Sequence, residues 1–125
     1  MSDIDDLNEA VSRAIAEAEA MPTDRFRDTA EAWLQVAHLE RRIAERTVAS
    51  SVSGEAARIG AVRAAVQGWD LRLAHELATR YVADATLAER PRLELERLLS
   101  QVTRELDALT TGDPQILPVA ARIAA

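Results

Sequence analysis

Residues 23–48, TDRFRDTAEAWLQVAHLERRIAERTV, run without a proline or glycine, and their apolar residues recur with a helical period of about 3.6. Phe26, Ala30, Trp33 and Ala37 mark one stripe, spaced four, three, four; Ala32, Val36, Leu39 and Ile43 mark a second stripe beside it with the same spacing. Two adjacent stripes predict an apolar face wider than one neighbouring helix covers, so this helix is expected to have partners on two sides. Arg41 and Glu45 stand at i,i+4, and Arg41, Arg42 and Arg46 lie at the end where a helix dipole is negative.

Upstream, a first helix is expected over 3–20. Ser2 with Asp5 outlines a capping box, and Ile4, Leu7, Val11, Ile15 and Ala18 form one narrow stripe that leaves the acids outside. Met21-Pro22-Thr23 breaks the pattern, with Thr23 or Asp24 available to cap the helix that follows.

Downstream, residues 49–54 read as a loop, with Ser53 as the N-cap of a third helix over 54–67. That helix has a bulky stripe of Ile59, Val62 and Val66, continued by Trp69, and a small one of Ala57, Ala61 and Ala64 beside Gly60. The small stripe lets a second backbone come close, and Gly68 is the expected stop. A fourth helix, capped by Asp70, is expected to reach Ala85, with Leu71, Ala74, Ala78, Tyr81 and Ala85 inward and an Arg72, Glu76, Arg80, Asp84 ladder outward. A fifth, over 91–109, carries the heptad spacing of Leu95, Leu99, Val102, Leu106 and Leu109. The seam is shorter than a coiled coil needs and suits either packing within the chain or a dimer contact. Beyond Thr111-Gly112-Asp113-Pro114 lies an apolar tail with Ile116 and Leu117.

The expected fold is therefore all-α: a compact antiparallel bundle of four to five helices over 1–112, including the acidic N-terminal helix 3–20, followed by a tail over 113–125 that docks on the bundle or on a partner. Helices three and four, joined by Gly68-Trp69-Asp70, have the outline of a tetratricopeptide hairpin. The small and aromatic positions fall one residue out of step, however, and the signature tryptophan and leucine-glycine pair of that repeat are absent. No family is assigned on that outline.

Composition narrows the chemistry. The 125 residues suit one domain, and 48% hydrophobic with 29% charged residues fits a folded chain. All 15 basic residues are arginine, which a GC-rich bacterial or phage genome would produce. The lack of lysine and cysteine removes Schiff-base chemistry, the P-loop lysine, disulfides and thiolate catalysis. Residues 1–24 hold seven acids against Arg13 alone, which accounts for the whole formal charge of −6. The acidic start lacks a signal-peptide pattern and no stretch is apolar enough to span a bilayer, so the expected location is cytoplasmic, with no membrane partner.

Catalytic patterns are incomplete. His75-Glu76-Leu77-Ala78-Thr79 begins like HExxH but has Thr79 where the second histidine is needed, and neither His38 nor His75 follows a glutamate by three, as a di-iron site requires. Ser50, Ser51 and Ser53 lack a strand-turn-helix setting, and Glu94 and Glu96 are offset around their helix among arginines. No catalytic, cofactor or metal residues are assigned.

The expectation is a non-catalytic protein–protein interaction module, an adaptor or a subunit of a larger assembly that associates with a protein partner or as a homo-oligomer. Trp33, Leu95, Leu99, Leu106, Ile116 and Leu117 are its candidate contact residues. The alternative is a small nucleic-acid-binding regulator using Arg41, Arg42, Arg46, Arg58 and Arg63 around the loop after the central helix.

Overall fold

A computed structural model describes residues 3–22 and 24–111 as five α-helices, with no strand among them. They are α1 (Asp3–Ala20), α2 (Phe26–Arg46), α3 (Val52–Gln67), α4 (Leu71–Val82) and α5 (Glu89–Thr111). The all-α bundle is the one expected. The tail, with Ile116 and Leu117, lies outside the described residues.

The two stripes of α2 do meet two partners, α1 and α3. An ideal Cβ on Gly68 would lie 2.7 Å from Leu34 Cδ2 and 3.0 Å from the Ala30 carbonyl oxygen, and the Phe26 ring is 6.0 Å from that of Trp69. These contacts turn the Phe26–Ala37 side of the helix to α3. The second stripe, with Val36 and Ile43 buried, is left to α1, whose Leu7, Val11, Ala14 and Ala18 are buried. An ion pair between Arg46 Nε and Asp3 Oδ2, 3.3 Å apart, joins the end of α2 to the start of α1, as their antiparallel order allows.

The centre of the molecule is nevertheless α3. It is packed by α2, α4 and α5, and Gly54, Ala57, Arg58, Ala61, Val62, Ala64 and Ala65 are all buried. The cause is side-chain size: alanines around most of the circumference let neighbouring backbones approach from several directions, so burial comes from closeness rather than from bulk. Amphipathic spacing points to the helix with the strongest stripes, and α3 has no single stripe to reveal it.

The helix ends show what local chemistry decides. Ser51, not Ser53, caps α3: its Oγ accepts from the Gly54 amide at 2.9 Å and donates to the Val48 carbonyl at 2.8 Å. A Cβ on Gly54 would lie 1.9 Å from that carbonyl, so glycine is what lets the cap close. Asp70 caps α4 as expected, accepting from Leu73 N at 3.0 Å. Neither Asp24 nor Arg25 supplies a side-chain cap to α2; Arg25 is at the N-cap position, and the Thr29 hydroxyl donates to its carbonyl.

At the end of α3 the left-handed residue is Trp69, with φ of 59°, and not Gly68. Trp69 N and Asp70 N donate to the carbonyls of Val66 and Ala65, the paired bonds of a Schellman turn. A left-handed tryptophan costs about 1–2 kcal/mol. Its ring packs on Phe26, while Gly68 is held by the need for close approach to α2.

Helix α4 stops at Val82, three residues before Ala85. Asp84 accepts from both the amide and the hydroxyl of Thr86, turning the chain, so the last step of the expected ladder does not form. Its Glu76–Arg80 step does, at 3.0 Å.

Candidate docking groove

Two of the arginines are structural. Arg58, only 8% exposed, extends its guanidinium to the C-terminal end of α2 and donates to the carbonyls of Ala44, Thr47 and Gly54, each at 3.0 Å. It also lies over the Tyr81 ring, 5.6 Å from its centroid. Arg92 on α5 does the same for α4, donating to the carbonyls of Val82, Asp84 and Leu87. Carbonyls at a helix C-terminus carry partial negative charge and lack intrahelical donors, and a planar guanidinium satisfies several at once. This is work that a lysine ammonium could not do, since its three donors diverge from one nitrogen.

Of the arginines proposed over residues 41–63, four have partners within the fold. Arg58 is in the core, Arg63 pairs with Glu94, Arg46 with Asp3, and Arg41 with Glu45 at 3.5 Å. Arg42 is exposed.

The apolar candidates divide as well. Leu95 and Val102 are fully buried, while Leu99 and Leu106 are half-buried and packed against the core. The heptad seam of α5 thus turns mainly inward, and only Leu109, 41% exposed, is open at its end. Trp33 is half-buried against the core. His38 is exposed and His75 half-buried, and no group of three or more metal-ligating side chains gathers among the described residues.

One apolar groove is not visible from the sequence spacing. Between α3 and the start of α5 runs an open groove of about 720 Å3, lined by Glu55, Ile59, Ala88, Arg90, Pro91, Leu93, Glu94 and Arg97. Leu93 is 57% exposed there, although Leu95, two residues on, is completely covered. Two residues turn a helix by about 200°, so a leucine at 93 is nearly opposite the buried seam. That offset is the signal the sequence carries for Leu93, which falls outside the heptad repeat.

Glu94 stands on the wall of this groove and holds two arginines. Arg97 grips it with one edge of its guanidinium, Nη2 at 2.7 Å from Oε1 and Nε at 3.2 Å from Oε2, and Arg63 reaches the same Oε1 from α3. These hydrogen bonds, Arg97 first and Arg63 second, hold the Glu94 carboxyl below its ordinary range. The chain matches no protein-family model, no curated protein and no solved structure.

Proposed function

We propose that the chain is a non-catalytic protein–protein interaction module whose docking surface is the α3–α5 groove. The observation that carries this reading is Leu93, a large aliphatic side chain left open beside Ile59 and Pro91 in a groove with charged walls. An apolar floor with a polar rim is the anatomy of a protein interface. The shallow, open form suits a partner's side chain better than an enclosed small molecule.

Light scattering at low and high salt, with absorbance at 260 and 280 nm, tests the reading. An oligomer insensitive to salt and dissolved by Leu93→Asp makes the partner a second copy of this chain. A clean monomer assigns the groove to another protein. Co-purifying nucleic acid that is shed at high salt, and lost on replacing Arg41, Arg42 and Arg46, overturns the protein reading in favour of the regulator.

A further inference from the structure

Resting on that reading of the groove, we infer that its occupant is a segment of another protein that carries a carboxylate beside an aliphatic or aromatic anchor. The anchor fills the space over Ile59, Pro91 and Leu93, and the carboxylate is taken by Arg63 and Arg97.

Two observations lead there. The first is preorganisation. Glu94 draws one guanidinium from α3 and one from α5 onto a single carboxylate oxygen, so two cations on different helices are held at one place before any ligand arrives. Arg63 donates one Nη to Glu94, and Arg97 donates its Nε and one Nη; each guanidinium has five N–H groups, so both keep donors to spare. Their side chains are 56% and 67% exposed, which leaves those donors open to an incoming group. Ordering an arginine in advance removes part of the entropy lost on binding.

The second observation is charge. Two guanidiniums on one carboxylate leave this trio with one positive charge. The other two charged residues lining the groove, Glu55 and Arg90, are one of each sign, so the excess comes from Arg63, which reaches Glu94 from α3. A net positive spot with an apolar floor thus sits on a chain whose formal charge is −6. A second carboxylate completes the trio as two ion pairs, in the planar geometry that arginine favours. A basic partner would instead add a third cation. The anchor and the carboxylate must lie close in sequence, because Leu93 and Glu94 are neighbours on α5.

The test selects a random 16-residue peptide library displayed on phage against the full chain, with counter-selection on the Leu93→Asp variant. The enriched peptides are expected to place Asp or Glu within about three positions of a large apolar residue. The synthesised winner should bind at least tenfold more weakly to the Arg63→Gln/Arg97→Gln variant, whose circular dichroism and melting should match wild type. Peptides that depend on Leu93 but carry no acid, or a basic residue in its place, overturn the chemistry assigned to the partner while leaving the groove as a docking site. A selection with no sequence dependent on Leu93 overturns both.

Discussion

An ideal Cβ on Gly60 would lie 1.8 Å from Glu40 Oε2, so the Glu40 carboxyl fills the space that a side chain on α3 would occupy. Burial there pushes its pKa from 4.5 up to about 7. Between those values the unfolded chain gives up the proton first, so ionisation favours unfolding as pH rises and the loss is complete above about 7. Below about 4.5 both states are protonated and nothing is lost. Glu40→Gln should therefore raise stability at pH 8 by about 2 kcal/mol, a value discounted from the full shift for water reaching a half-buried group, and change little at pH 5. Urea titrations at the two pH values check this. Gly60→Ala should act by the other partner: the flexible carboxyl moves out, its pKa falls, and the added helix propensity of up to about 1 kcal/mol offsets the repacking. Tyr81 gives a second test, because its hydroxyl is buried with no hydrogen-bond partner among the described residues. Tyr81→Phe should keep or slightly raise the melting temperature, since an unsatisfied buried hydroxyl costs about 1–3 kcal/mol. Arg58→Lys should cost about 2–4 kcal/mol in urea, because one ammonium cannot serve the carbonyls of Ala44, Thr47 and Gly54 together.

Helix α5 shows how far spacing alone reaches. The repeat at Leu95, Leu99, Val102 and Leu106 correctly marks a face turned to other side chains, since Leu95 and Val102 have no exposed surface and the other two pack on the core. It could not say that α3 and α4 already fill that face. Leu95→Ala should accordingly destabilise the fold by about 2–5 kcal/mol, while Leu93→Ala stays within about 0.5 kcal/mol, as chemical denaturation of the pair would show. The number of helices, both stripes of α2 and the Asp70 cap were legible because each is written in local spacing or a local side chain. What was not legible depends on neighbours distant in sequence. The central place of α3 comes from alanines that carry no amphipathic signal. The Ser51 cap is a local choice among three neighbouring serines, decided by Gly54 closing onto Val48, whereas Arg92, ten residues beyond Val82, reaches its carbonyl at the end of α4. The groove was missed for the same reason, since Ile59 and Leu93 meet only when α3 and α5 pack.

At the scale of the whole molecule, the five described helices bury most of their apolar stripes against each other, and the arginines at 58 and 92 tie the ends of α2 and α4 to the helix that follows. The acidic α1 is held on α2 by its buried stripe of Leu7, Val11, Ala14 and Ala18, to which the exposed Asp3–Arg46 pair adds at most about 1 kcal/mol. Among the described residues, five large apolar side chains stay open: Val48, Val52, Trp69, Leu93 and Leu109. Of these, Leu93 alone lines the groove with the shared carboxylate, and this is why association is assigned to that place. Because Leu93 is outside the core, Leu93→Asp should leave helicity and melting temperature unchanged while removing association, a separation that the half-buried Leu99 and Leu106 would not give. The most direct measurement replaces Leu93 with a photo-crosslinking phenylalanine analogue, with the exposed Thr79 on α4 as control. The account predicts a discrete protein adduct of defined mass from position 93 and none from position 79. Equal labelling at both positions, or no protein adduct at 93, would contradict it.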